Sequence, residues 1–303
     1  MRTVIIGIGN QGQKRLDVCK DDIVAKIDIN FPKNWNGYLD YKDIKDVPLD
    51  IYDAAIVCTP IKDKPNIVTY LLSKGKHVLV EKPLIYGYES QFKDWKYFCN
   101  QNGVTLYTAY NHRFEPNIVK LKRLLDMKKF GKIYSCSMFY GNGTVQNVRQ
   151  SYWQDSGTGV IENLMVHLID LVVYLFNEKP NFKLMQARCF ETKYFDHAIM
   201  GCNDTILYQL ESTYTSWKNS FTISIIGEKG SVHISGLSKW GNSFILERER
   251  VYPSGSPLED LNMTDGSDKT WALEWQFFKY LCDNKKTNIE NDIYINSIIQ
   301  GVL

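Results

Sequence analysis

The sequence predicts a two-domain protein. An α/β domain with a parallel sheet covered on both faces comes first, followed by an α+β domain with an open, mostly antiparallel sheet. Three observations predict this. The chain has 303 residues, above the size at which one hydrophobic core usually stops growing. Up to about residue 120, short and nearly continuous apolar runs alternate with helical segments. After about residue 130, the runs alternate apolar with polar residues, the pattern of antiparallel strands with one solvated face.

The elements follow in order. Thr3–Gly7, Ile23–Ile29, Ala54–Cys58, His77–Glu81 and Val104–Ala109 read as strands, being short, β-branched and apolar. Gln11–Lys20, Lys64–Lys74 and Glu89–Asn102 between them read as helices. In the second part, Lys132–Tyr140, Phe182–Tyr194, Thr205–Thr215, Ser220–Ile226, Ser231–Ser235 and Ser243–Glu249 read as strands, with a turn at Gly227–Gly230. Helices are expected at Glu162–Phe176 and Trp271–Asp283. The division is placed at 1–118 and 119–303, although a helix at Glu115–Met127 suits either side.

Composition narrows the function classes. Lys and Arg number 36 against 34 Asp and Glu, a net charge of +2, so no polyanion-binding surface is indicated and nucleic acid is not expected as a partner. The seven cysteines (Cys19, Cys58, Cys99, Cys136, Cys189, Cys202 and Cys282) are scattered and odd in number. They suggest reduced thiols rather than disulfides, and Cys189, His197 and Cys202 match no common zinc spacing. Met1–Gly7 lacks the features of a signal peptide. The apolar stretch from Val160 to Phe176 carries Glu162, Asn163, His167 and Asp170, making it a poor membrane span. A cytoplasmic protein with no bound metal is expected. Aromatic residues reach 13%, which suits a sheet-rich domain or an amphipathic ligand cleft.

Three motifs carry chemistry. Gly7-Ile8-Gly9-Asn10-Gln11-Gly12 is a complete G-x-G-x-x-G between a strand and a helix. Gly7 permits the turn, Gly9 lets the backbone approach a pyrophosphate, and Gly12 lets the helix pack closely on the strand. The helix N-terminus offers unpaired N–H groups to phosphate. Asp28 ends the second strand, about twenty residues past the first glycine, where a carboxylate accepts hydrogen bonds from ribose and repels a 2′-phosphate. NAD is therefore expected, with NADP possible because Lys14 and Arg15 are near in sequence. In the second motif, Glu81-Lys82-Pro83 ends a strand and sets Lys82 at the carboxyl edge of the sheet, where open α/β folds bind ligands. The third is Gly157-Thr158-Gly159 leading into a helix that carries Asn163, His167 and Asp170 on one face.

Together these motifs resemble the Gfo/Idh/MocA family of nicotinamide-dependent oxidoreductases, named for glucose–fructose oxidoreductase and inositol dehydrogenase. The likeness also includes Cys58-Thr59-Pro60, Tyr110-Asn111-His112-Arg113-Phe114, His167-Leu168-Ile169-Asp170 and Ile226-Gly227-Glu228-Lys229-Gly230-Ser231. It implies a Rossmann domain followed by an open-sheet domain whose exposed face often mediates dimers or tetramers, so a homodimer or homotetramer is expected. It implies NAD in a cleft, contacted by Gly7, Gly9, Asn10, Gln11, Gly12, Asp28, Thr59, Pro60, Glu81 and Lys82. Lys82 is implied to touch both the nicotinamide ribose and a substrate hydroxyl, and His167 is implied as a candidate acid/base.

The likeness has departures. The family commonly has aspartate where this chain has Asn163, and an amide cannot accept a substrate proton. Glu162 is adjacent but about 100° away around the helix. Met165 replaces a residue that is often small, and Lys64 stands where many members have histidine. The proton is therefore assigned to Lys82 or His167. Phe139–Thr144 and Ser151-Tyr152-Trp153-Gln154-Asp155 resemble members from surface-polysaccharide clusters. Arg113, Tyr140 and Trp153 suit a polyhydroxylated ligand, and Arg113 could instead hold a nucleotide phosphate. The expected function is hydride transfer between NAD(P) and a sugar or sugar nucleotide. Its alternatives are a non-catalytic dinucleotide sensor or scaffold, and a reductase of an enone or imine.

Overall fold

The structure, a computed structural model, describes residues 1–31, 39–84, 89–151, 153–253 and 255–302. Six strands come first in the chain: β1 (Thr3–Ile6), β2 (Ile23–Ile27), β3 (Asp40–Tyr41), β4 (Ala54–Val57), β5 (His77–Glu81) and β6 (Leu106–Ala109). They form one sheet in the order β3-β2-β1-β4-β5-β6, and every pairing is parallel. Parallel neighbours need crossovers. Among these are α1 (Asn10–Cys19), α2 (Lys64–Ser73) and α3 (Glu89–Asn102). The strand order reverses between β1 and β4, which creates a crevice at their carboxyl ends.

Both faces of this sheet are buried, which is why its strands read as unbroken apolar runs. Val4, Ile6, Val57, Val80 and Leu106 pack on one side with Val68, Leu71 and Trp95. Ile5, Ile56, Leu79 and Tyr107 pack on the other with Trp275, Phe278, Leu281 and Cys282. That second layer corrects the contiguous division expected at residue 118. The first unit comprises Met1–Asn111 and takes back Trp271–Asn296, because the late helix supplies the apolar cover that one face would otherwise lack.

The second unit spans His112–Thr270 with the residues from Ser297 on. It holds α4 (Pro116–Asp126), β7 (Ile133–Gly141), α5 (Val145–Arg149), α6 (Val166–Phe176), β8 (Lys183–Arg188), β9 (His197–Asn203), β10 (Leu207–Thr213), β11 (Ser220–Gly227), β12 (Gly230–Ser235), β13 (Phe244–Glu249) and β14 (Glu259–Met263). The sheet order is β14-β13-β12-β11-β7-β10-β9-β8. Only β7 and β10 pair in parallel; the other neighbours are antiparallel. Two late helices follow, α7 (Thr270–Asp283) and α8 (Ile289–Gln300).

Some expectations needed correction. The strand expected over Phe182–Tyr194 stops at Arg188, because the Asp196 carboxylate takes the backbone N–H groups of Phe190 and Glu191 at 2.9 and 2.6 Å. Such local side-chain bonds divert a chain from a ladder. The strands β9 and β14 were missed, and β14 is exposed along its whole length, so it carries no alternation to detect. The helix expected at Glu162 starts as a π-helical turn over Ile161–Met165 before α6 begins. Among the described residues no helix is long and apolar enough to cross a membrane.

Candidate active site

The glycine turn lies at the reversal of strand order. Gly7 has φ +88°, a conformation that favours glycine, and a Cβ there would meet the Cys58 carbonyl at 3.0 Å. A Cβ on Gly12 would sit 2.0 Å from the Gly7 carbonyl oxygen, so the helix reaches the strand only with hydrogen at that position. A Cβ on Gly9 would meet nothing within 4 Å, which leaves open space beside the turn. Gly9 is the extended N-cap of α1, without a side-chain cap, and Asn10 and Gln11 are exposed beside it. The Asp28 carboxylate accepts the Ile8 N–H at 2.7 Å and the Asn30 N–H at 2.9 Å. A carboxylate offers about four lone-pair sites, so two hydrogen bonds leave acceptor capacity for ribose hydroxyls. On the other side of the reversal, the Thr59 Oγ1 is buried and has no hydrogen-bond partner. Pro60, next to it, is half-buried. A pyrophosphate–ribose group fits this set: open backbone at Gly9, a carboxylate at Asp28 and an orphaned hydroxyl at Thr59.

The glycines give a separable prediction. Gly12→Ala should cost the fold, seen as a lowered melting temperature. Gly9→Val should keep the fold and weaken NADH about tenfold, roughly 1.4 kcal/mol, in a fluorescence titration. Equal NADH affinity in Gly9→Val and wild type would exclude that space as the phosphate site.

Arg15 does not serve a 2′-phosphate. It is 1% exposed. Its Nε donates to Glu81 Oε1 at 2.8 Å and its Nη2 to Glu274 Oε2 at 2.6 Å, while its guanidinium lies 4.3 Å from the Trp271 ring. Burial of two carboxylates around one cation is unbalanced, and burial pushes Glu274 up to about 7 although Arg15 opposes it. Glu81, expected at the cofactor, thus has its carboxylate committed to Arg15. Lys14 is exposed and lies 5.7 Å over Trp271.

Lys82 follows the last residue of β5, at the sheet edge, and its peptide with Pro83 is cis. Lys64, the first residue of α2, is buried below this segment. Its Nζ donates to the carbonyl oxygens of Glu81 at 2.5 Å and Pro83 at 3.0 Å. Burial pushes Lys64 down to about 8, with the Glu81 carboxylate opposing.

In the second unit, His167 on α6 is buried, with its ring 4.0 Å from that of His112 and 5.9 Å from that of Tyr140. Tyr140, on β7, is also buried, and its hydroxyl accepts from Lys239 Nζ at 3.0 Å. The same ammonium lies 3.4 Å from His112 Nε2 and 4.9 Å over Trp240. Its turn is anchored by the buried Glu115, whose carboxylate accepts the Ser238 N–H at 3.0 Å. Asn163 is half-buried beside the Tyr214 hydroxyl. Glu162 accepts the Thr158 N–H at 2.9 Å and closes the glycine-rich entry.

Two expectations change here. Arg113, expected at a ligand, donates through Nε at 2.7 Å and Nη2 at 2.5 Å to the Asp170 carboxylate. This bidentate pair also commits the Asp170 carboxylate, expected to share a common space with His167 and Asn163, to the charged partner that a buried carboxylate needs. Trp153 is 43% exposed, and Tyr152 lies outside the described residues. Sequence reasoning missed Lys239 and His112: Lys239 is far from the other site residues along the chain, and His112 passed as one letter of a longer motif. Among the described residues no group of His, Cys, Asp and Glu could hold a metal ion.

Comparison with known proteins gives two family matches. Residues 1–110 match the family described as "Oxidoreductase family, NAD-binding Rossmann fold", and residues 118–233 match the "GFO/IDH/MocA C-terminal domain". The chain is similar to the uncharacterized oxidoreductase YrbE of Bacillus subtilis, 24% identical over 190 residues, spanning 58% of this chain but only 54% of that protein. It is 26% identical over 284 residues to glucose-6-phosphate 3-dehydrogenase of the same organism, covering 86% of this chain and 77% of the relative. In fold it resembles levoglucosan dehydrogenase in complex with NADH, with a TM-score of 0.84, 14% identity and coverage of 100% and 95% of the two chains.

Proposed function

Because the chain belongs to the GFO/IDH/MocA oxidoreductase family, we propose that it moves hydride between NAD(P) and a hydroxyl- or carbonyl-bearing carbon of a sugar, with Lys82 and His167 handling the proton. The observation that carries this reading is the glycine turn at the β1–β4 reversal, with the Asp28 carboxylate anchored on the Ile8 amide. When bound, a nicotinamide cofactor would supply or accept the hydride. The chain's own residues bind, orient and move the proton. Asn163 can orient a hydroxyl but cannot take its proton, which leaves that step to the neutral amine of Lys82 or the imidazole of His167. Tyr140, Trp153 and Lys239 supply faces and donors of the kind a polyhydroxylated ligand uses. The similarity to glucose-6-phosphate 3-dehydrogenase and levoglucosan dehydrogenase supports a sugar. A sugar nucleotide remains within the proposal, but Arg113 would not hold its phosphate, being paired with Asp170.

Copies are proposed to associate through the open sheet, whose solvent face exposes Leu207 and Ile226. The test of function is titration with NADH and NADPH, then a turnover screen over glucose 6-phosphate, levoglucosan, inositol, sugar nucleotides and a cyclic enone. Turnover of at least one sugar is expected. Cofactor binding with no turnover of any probe overturns the enzyme reading in favour of a dinucleotide sensor, and turnover of the enone alone overturns the sugar. Asp28 predicts preference for NADH, and Asp28→Ala should cut that preference about tenfold. An unchanged ratio would remove Asp28 from the ribose site.

A further inference from the structure

We infer that Lys64 is the positioning residue for Lys82, holding the backbone on either side of it. The inference rests on the role proposed above for Lys82 at the nicotinamide. A lysine that is 2% exposed is costly to bury unless its ammonium is satisfied. Both hydrogen bonds of its Nζ go to main-chain carbonyls, those of Glu81 and Pro83. The residue between these two acceptors is Lys82.

The location explains the need. Glu81 is the last residue of β5 to pair with β6, opposite Ala109. Beyond it the ladder no longer organises the backbone, and buried carbonyls must find another donor. Lys64 supplies it from the start of α2. Arg15, from α1, separately grips the Glu81 side chain through Nε and Nη2 at 2.8 and 2.7 Å. The residue before Lys82 is therefore fixed by both its carbonyl and its carboxylate, and the residue after it by its carbonyl. This sets the direction in which the Lys82 stem leaves the sheet edge. Misplacing a reacting group by about 1 Å costs on the order of a hundredfold, so such a clamp matters for function and not only for folding. An apolar side chain of similar length would fill the same volume and leave both carbonyls without their donor.

The test is a double-mutant cycle on the full chain with NADH as probe, read by fluorescence titration. Lys64→Met is expected to weaken NADH about fivefold, and Lys82→Met to weaken it by itself. If Lys64 acts through Lys82, adding Lys64→Met to Lys82→Met weakens NADH no further. Lys64→Arg, which retains donors, recovers part of the affinity. A fivefold loss that persists in the Lys82→Met background overturns the inference, since Lys64 would then act on the fold at large. An unaffected Lys64→Met beside an impaired Lys82→Met overturns the inference alone. An unaffected Lys82→Met overturns the proposed role of Lys82 and the inference with it. If Lys64→Met does not fold, Lys64→Gln, with a shorter donor stem, carries the same cycle.

Discussion

Lys82→Met is expected to slow hydride transfer by about 10²–10⁴-fold, and His167→Ala by a comparable factor, because each removes a group proposed to move the substrate proton. The measurement is single-turnover absorbance at the nicotinamide band, with the sugar that emerges from the turnover screen. The two variants should differ in their binding signature. Lys82 follows the last residue of β5, at the carboxyl edge of the sheet whose glycine turn is proposed to hold the cofactor, so its loss should also weaken NADH. His167 lies in the second unit, and its loss should leave NADH affinity near wild type. His167 is 5% exposed, with its ring 4.0 Å from that of His112, so alanine also leaves a cavity. His167→Asn, which retains more volume and a polar end, separates lost chemistry from lost packing: its rate should stay low while its melting temperature recovers. Near-wild-type rates in both Lys82→Met and His167→Ala would overturn the assignment.

The largest expected stability effect lies at Arg15. Arg15→Met leaves Glu81 and Glu274 without the cation that separates them, and removing one partner of a buried ion group costs about 3–5 kcal/mol. The pH dependence has a definite sign. Burial raises the Glu274 pKa from 4.5 to about 7 in the folded protein. A group raised on folding contributes stability that is fully present below its unfolded value and lost as pH rises through its folded value. Stability on account of Glu274 therefore falls between pH 4.5 and about 7. Glu274→Gln should flatten that part of the profile, and Arg15→Met should push the fall to higher pH. Urea midpoints across this range measure both. A loss below about 1 kcal/mol for Arg15→Met near neutral pH would show that the triad is not a stabilising unit.

Much of the architecture was legible because it depends on short-range physics. Parallel strands buried on both faces must be nearly continuously apolar: β4 is so throughout, β1 after Thr3, and β5 between His77 and Glu81. The glycines at positions 7 and 12 are required by the geometry of one strand–turn–helix, so their spacing announces it. The strand β14 and the return of α7 to the first sheet had no such local signature. The former is exposed throughout. The latter depends on which apolar face still lacked cover, a property of the assembled sheet.

The candidate site divides along the same line. From the chain alone came the strand–glycine–helix at Gly7–Gly12, the placement of Asp28 and Lys82 at strand ends, and a helix carrying Asn163 and His167 on one face. Each follows from periodicity or from backbone constraints within a few neighbouring residues. Only the tertiary structure decided what the charges do. Arg15 turned inward to Glu81 and Glu274, Arg113 to Asp170, and Lys64 to the two carbonyls that flank Lys82. Lys239 came to rest against Tyr140 and His112 from a distant turn. The physical reason is that a charge loses its hydration on burial and must be repaid by whatever partner the fold brings within about 3 Å. That partner is chosen by three-dimensional proximity, which spacing along the chain does not encode.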